Sequence, residues 1–371
     1  MIYLKVTRIA FIVLFVYVFF FIGRVMKFWG VDGKRWSMGI LRAVLAAVVA
    51  AVASRFISVS GLIMLHLLGA CAIFELFGWL LKKIPMFRDK KKAVLWIDRA
   101  CRTGFAGLLA TALIMGYGFY NMNHITKKEY HFTTEKPMRE EGYRIALITD
   151  THFGGVQDKD VLRKGVDVIS GQKPDFVILG GDIVEEGTTA EDLQEVFQLL
   201  GGISNQYGVY YVYGNHDKQP YTNTKSYTKK ELEEVIADNG IQILKDTFVN
   251  INDDIVLAGR GNAWGRAERA SSDEVLEGAD LNKYVIMADH QPVEVQENAA
   301  LGVDLQVSGH THAGQMWPVG VLTELSGNYN YGNYHVGDCE LVVSSGYAGW
   351  SYPMRTGKHC EFVMIEIGGK N

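Results

Sequence analysis

The chain has 371 residues, a net charge of −4 and four cysteines, Cys71, Cys101, Cys339 and Cys360. That length allows two or more domains, and the lack of a global basic field argues against nucleic acid as a partner. The cysteines form no CxxC or zinc-type pattern, so neither a thiolate metal site nor a disulfide framework is implied.

The average charge hides a division near residue 123, basic and apolar before it, acidic and glycine-rich after it. The first apolar run, "IAFIVLFVYVFFFIG" (9–23), lies between Arg8 and Arg24. It is a little short for a hydrocarbon core of about 30 Å unless Lys5 and Arg8 snorkel. No small-residue cleavage site follows it and more apolar segments do, which argues against a removed signal peptide. Further spans are expected over about 40–54, 59–81 and 104–121, the second carrying a small-residue stripe at Ala43, Ala47 and Ala51.

Loop charges set the expected orientation. The first loop carries Arg24, Lys27, Lys34, Arg35 and Arg42; the third carries Lys82, Lys83, Arg88, Lys90, Lys91, Lys92, Arg99 and Arg102. Opposite them stand only Lys5, Arg8 and Arg55. The positive-inside rule therefore predicts an integral protein of the cytoplasmic membrane whose C-terminal domain is extracytoplasmic. His66 and Glu75 fall inside the third span, half a turn out of phase. Each is expected to find a partner in the bundle interior.

The expected organisation is a membrane domain over 1–122, a polar linker over 123–142 and an α/β domain over 143–371, where strand-like and helix-like segments alternate. The strands share a way of ending. "YRIALIT" runs into Asp150 and His152, "DFVILG" into Asp182, "VYYVYG" into Asn215, His216 and Asp217, "YVIMA" into Asp289 and His290, and "LQVSG" into His310 and His312. Five of the ten histidines fall at these ends, and glycines precede Asp182, Asn215 and His310. Ligand sites in open α/β sheets lie beyond the carboxyl ends of strands. Each element alone has a structural explanation, as an N-cap, a core histidine or a turn former. Together they point to a metal cage.

The ordered set D-x-H, G-D-x-x, G-N-H-D, a lone His and G-H-x-H resembles the calcineurin-like metallophosphoesterases over about residues 143–367. The apolar front end, "GHTHAGQMWP" and "SSGYAGWSYPMRTG" are similar to the bacterial membrane-anchored branch of that family. The resemblance implies transmembrane helices followed by a four-layer α/β/β/α sandwich of two mixed sheets. It also implies hydrolysis of a phosphomonoester or phosphodiester through two-metal activation of water. Asp150, His152 and His312 would hold one ion, Asn215, His290 and His310 the other, with Asp182 shared. His216 would assist at the phosphate or the leaving oxygen, oriented by Asp217; Glu185 would stand outside the ligand set.

This nitrogen and oxygen donor set suits Mn, Fe, Zn or Co. Arg355 is a candidate phosphate clamp, with structural pairing as the alternative. Trp317, Tyr329, Tyr331, Tyr334 and Trp350 would form a rim against a lipid, sugar or base, dip into the membrane surface, or cover the sheet. A lipid or cell-envelope phosphoester is one candidate substrate. Cys339 and Cys360 could pair, although their spacing does not enforce it. The alternative function is a non-hydrolytic membrane sensor or scaffold that retains the metal site. Oligomeric state is not legible.

Overall fold

A computed structural model of the chain describes residues 2–31, 36–56, 58–84, 91–264 and 269–370, the side chains of 2–4 and 91–94 excepted. Four of the loop cations, Lys34, Arg35, Arg88 and Lys90, lie outside the described residues. Two compact units are present, Met1–Tyr117 and Gly118–Asn371.

In the first unit, apolar composition is translated into long helices: α1 (Ile2–Phe28), α2 (Trp36–Ala53) and α3 (Val59–Leu81). Then come α4 (Lys91–Arg102) and α5 (Phe105–Met122), which runs on into the second unit. All but α4 are long and apolar enough to cross a membrane. Ser58 starts α3 by accepting the Gly61 amide, a standard N-cap. The helices extend past the apolar runs and take polar residues with them. Arg24, inside α1, reaches both carboxylate oxygens of Glu75 at 2.6 and 2.5 Å. Arg42, inside α2, donates to Phe19 O at 3.0 Å. His66 Nδ1 bonds Leu62 O at 2.9 Å. Arg24 and Arg42 are therefore helix residues with partners, not loop residues.

The second unit is built from strands whose side chains alternate between two buried faces. Its first sheet has the order β1 (Ile125–Thr134), β12 (Cys360–Gly369), β2 (Tyr143–Ile148), β3 (Phe176–Leu179), β4 (Val209–Tyr211), β5 (Ile241–Ile243). The second has the order β10 (Gly332–Val336), β11 (Cys339–Val343), β9 (Leu305–Ser308), β8 (Tyr284–Ala288), β7 (Ile255–Gly259), β6 (Thr247–Asn250). Both are mixed: β2 to β5 are mutually parallel, as are β7, β8, β9 and β11, with antiparallel partners at β12, β6 and β10.

The alternation makes the layers. Ala146 and Ile148 of β2 face the helices α6 (Lys159–Gly171), α7 (Ala190–Gly201) and α8 (Lys229–Asp238) through Leu162, Val196 and Leu232. Ile145 and Leu147 turn the other way, into a core shared with Leu257, Ile286, Leu305 and Val307 of the second sheet. The far side of that sheet packs Val256, Val285 and Met287 against Val275 of α9 (Ser272–Val275). Helix α10 (Val295–Ala300) adds Val295 against Leu341 and Val343. The result is the α/β/β/α sandwich. Burial on both faces is what lets short parallel strands read as continuous apolar runs.

Two expectations are corrected. The stretch 123–142 is not a plain linker, because Ile125–Thr134 pairs along its whole length with Cys360–Gly369. Lys127, Glu129 and His131 occupy its exposed alternate positions, and charges of this kind protect the edge of a sheet. Cys339 and Cys360 do not pair; all four cysteines are free and buried.

Candidate metal centre

The site forms where the carboxyl ends of β2, β3 and β4 meet those of β8 and β9. At these tips the backbone leaves the extended conformation abruptly. Asp150, His152, Asp182, His310 and His312 have φ of 54°, 41°, 50°, 69° and 48°. The left-handed region is costly for residues with a Cβ and persists where surrounding contacts enforce it. Glycine makes the close approach possible at Gly181, which has φ of 87° and where a Cβ would lie 2.8 Å from His290 Nδ1 and 2.5 Å from Gly214 N. At Gly309 a Cβ would collide with the Asp150 carboxylate. These two glycines are steric requirements of the site.

Two groups of donor atoms result, Asp150 with His152 and His312, and Asp182 with His290 and His310, each drawn together within 4.8 Å. Asp182 Oδ2 lies between them, 3.1 Å from His290 Nε2 and 3.9 Å from His152 Nε2. The proton positions follow from what faces each ring. His290 Nδ1 stands 2.7 Å from Gly180 O, which can only accept, so Nδ1 carries the hydrogen. Nε2 faces the Asp182 carboxylate at 3.1 Å, a contact that needs a proton or a metal ion between the two.

His312 Nδ1 stands 3.2 Å from Ala348 O and 3.3 Å from the donor Arg355 Nη2, and His152 Nδ1 faces Glu185 Oε2 at 3.3 Å. The two remaining nitrogens, His152 Nε2 and His312 Nε2, then confront each other at 3.2 Å, with Asp150 Oδ1 3.5 Å from the latter. Two facing ring nitrogens with a carboxylate beside them need a proton or a metal ion to hold them together. The donor set therefore fits divalent ions, and ring nitrogens oriented through their far side are the usual arrangement at metal sites.

Protonation follows the same field. Burial alone would raise Asp182, but the neighbouring His290, His152 and His216 hold it well below the usual carboxylate range. Burial would lower His290; the Asp182 carboxylate overcomes this and pushes it up to about 10. Burial is likewise overcome at His152, which is raised by Glu185 and by the Asp182 and Asp150 charges. His310 moves the other way, down to about 3, through burial and the charge on His290. Protons thus occupy the places between acceptors that cations would take.

The other expected site residues are arranged as follows. Asn215 is nearly buried, its Oδ1 accepting from Gln291 Nε2 at 3.2 Å. His216 lies edge-on to His152, with ring centroids 5.2 Å apart, and it also stacks near Tyr221 and Trp350 at 5.0 and 5.2 Å. Asp217 does not orient it. The Asp217 oxygens accept from the amides of Gly214 (2.6 Å), Ile183 (2.8 Å), Asp182 (3.0 Å) and Val184 (3.2 Å). The carboxylate on His216 is Glu186, with Oε2 2.7 Å from Nδ1. Sequence reasoning missed Glu186, since nothing in "DIVEEG" separates it from Glu185.

Arg355 is not a phosphate clamp. It is fully buried, with Nη1 donating to Ser345 O and His359 O and Nη2 to Ala348 O. It thereby holds the carbonyl on which His312 rests. Of the expected aromatic rim, Tyr331 is spent on Glu361 at 2.9 Å, and Tyr334 accepts from the Asn330 and Tyr331 amides. Tyr329 lines a cleft of about 740 Å³ beside His310, together with Trp264, whose ring centroid is 4.1 Å from that of His310. Trp264 is a further residue that the spacing of motifs did not reveal.

Known proteins resemble this chain in part. The family described as calcineurin-like phosphoesterase matches residues 143–314. A metallophosphoesterase of Helicobacter pylori strain J99 is 28% identical over 304 residues, covering 80% of this chain and 77% of that protein. A Danio rerio protein named as a transmembrane protein with metallophosphoesterase domain is 26% identical over 314 residues, covering 80% of this chain and 69% of that one. Among solved structures, a dimetal phosphatase from Danio rerio shares 12% identity at a TM-score of 0.38, covering 62% of this chain and 93% of that one.

Proposed function

We propose that the chain, whose residues 143–314 match the calcineurin-like phosphoesterase family, is a metal-dependent phosphoric ester hydrolase, anchored by its four apolar helices, that cleaves a phosphomonoester or phosphodiester presented at the outer face of the cytoplasmic membrane. Asp150, His152 and His312 would hold one ion; Asn215, His290 and His310 would hold the other, with Asp182 common to both. Mn, Fe, Zn and Co all suit this donor set. Bound there, two divalent ions supply Lewis acidity toward phosphate oxygens and an activated water.

The chain's own groups do the rest. Gly180 O, Ala348 O and Glu185 fix the three rings that present Nε2, so little reorganisation is needed when ions bind. The Glu186 carboxylate holds His216 Nδ1, leaving Nε2 to bond a phosphate oxygen or to keep the proton destined for the leaving oxygen. Tyr221 and Trp350 flank that ring and limit its access to water.

The observation that carries this reading is the confrontation of His152 Nε2 and His312 Nε2 at 3.2 Å in a buried site. The test is turnover of bis-p-nitrophenyl phosphate and p-nitrophenyl phosphate by the purified full chain with and without Mn. Absence of metal-dependent turnover, or turnover unchanged in Asp182→Ala, would sink it. External placement of the domain rests on the loop cations. A C-terminal reporter fusion active only in the cytoplasm would overturn that part alone.

A further inference from the structure

One apolar surface of the second unit has no cover. Helix α11 (Val319–Leu325) buries none of its residues. Val319, Val321, Leu322, Leu325 and the preceding Trp317 are all exposed, Leu325 at 79% and Trp317 at 65%. Clustered apolar exposure of this kind marks an interaction surface.

Its place in the unit identifies the partner. The last turn of α5, residues 118–122, belongs to the same compact unit as the site. Arg355 N donates to Gly118 O at 2.9 Å, and Asn121 Nδ2 donates to Arg355 O and Lys358 O at 3.1 and 3.2 Å. Thr356 lies beside Gly118, its Cγ2 only 3.1 Å from where a Cβ would stand there, and its hydroxyl accepts the Trp317 amide at 3.0 Å. One residue therefore joins the end of a membrane-crossing helix to the start of the exposed apolar one. The exposed Lys358 sits in the same loop, suited to anionic headgroups. On its other flank α11 contributes Val319 and Thr323 to the cleft that reaches His310.

We propose that α11 and Trp317 insert into the surface of the bilayer from which α5 emerges, so that the cleft beside His310 opens at the headgroup layer and takes the phosphoester of a membrane lipid. The lipid-substrate part of this proposal rests on the phosphoesterase reading; the docking part does not.

The test places a nitroxide at Leu325→Cys in the full chain, reconstituted in phosphatidylethanolamine–phosphatidylglycerol nanodiscs. The native cysteines are buried and should resist labelling. The expected result is a label accessible to oxygen and at least 5-fold less accessible to a nickel chelate than a control label at Lys230→Cys on α8. Adding Leu322→Glu should restore chelate access without changing the apparent Tm. A Leu325 label as open to the chelate as the control would overturn docking. So would a label shielded from both reagents with spin–spin broadening, which would mean a second copy covers the face. A lipid-embedded label in a protein that turns over neither p-nitrophenyl ester would leave docking standing while removing the phosphoesterase reading.

Discussion

The strand-tip cluster and helix α11 depart from ordinary burial in opposite directions. Soluble domains hide apolar side chains and leave charges in water. Around the tips, Asp150, Asp182 and His290 are buried, with His290 Nε2 3.1 Å from the Asp182 carboxylate. In α11, valines and leucines stand in solvent. The membrane helices show the same outward apolar pattern, with Ile9, Ile12 and Val13 of α1 all exposed. On our proposals each inversion is resolved by a partner, divalent cations at the strand tips and lipid at α11.

The comparison breaks most sharply at the metal side. Asp182→Ala removes the one carboxylate placed between both donor groups. Turnover should fall by more than the roughly 10–100-fold that loss of a mere supporting contact costs. Metal content per chain, measured by mass spectrometry, should fall with it. Retained metal with lost activity would show that Asp182 acts otherwise than as a shared ligand.

The neighbours His216 and Asp217 then separate chemistry from architecture. Asp217→Ala strands four buried amides and should cost at least about 3 kcal/mol of stability. Glu186→Ala should lower kcat roughly 10–100-fold with metal content and Tm unchanged. If Asp217→Ala folds normally and Glu186→Ala is fully active, the two roles were assigned the wrong way round.

Those two residues also mark the limit of what the sequence discloses. The donors that the fold gathers into two groups were legible because they are rare residue types, and His152, Asp182, His290, His310 and His312 each follow an apolar strand. The sandwich was legible because both faces of the strands are buried. What lies beside a residue in space was not. Asp217 adjoins His216 in the chain, yet the turn after β4 folds its carboxylate back onto amides 182–184. Arg355 stood between a phosphate clamp and a structurally paired residue because its backbone carbonyl partners leave no trace in side-chain spacing. Strand β1 was hidden by the charges that suit an edge. The left-handed backbone at five tip residues has no sequence signature at all, since Asp and His replace the glycine usual there.

Chelation should reveal the stabilising side of the metal inversion. A ligand that binds only the folded state at 100 times its Kd adds about 2.7 kcal/mol. For a unit of this size EDTA should then lower the apparent Tm of the catalytic unit by roughly 5–10 °C. Asp182→Ala should show a much smaller chelator effect. An equal drop in the variant would place the stabilising ion elsewhere.

The smallest effect concerns a carboxylate whose burial outweighs the nearby Arg355 charge. Burial pushes Glu361 above its ordinary range, even though the Ser345 amide, Tyr331 and Ser344 all donate to it. A group whose folded pKa is raised gives its full stabilisation below the unfolded value, near 4.3, and loses it as pH climbs through the folded value. Wild type should therefore lose stability relative to Glu361→Gln as pH rises from about 4.3. The difference should level off once the folded group has ionised. Denaturant midpoints of the two proteins across that range give the answer. A gap that widens toward acid instead would mean that the three donors outweigh burial and that Glu361 is held ionised, as Asp182 is.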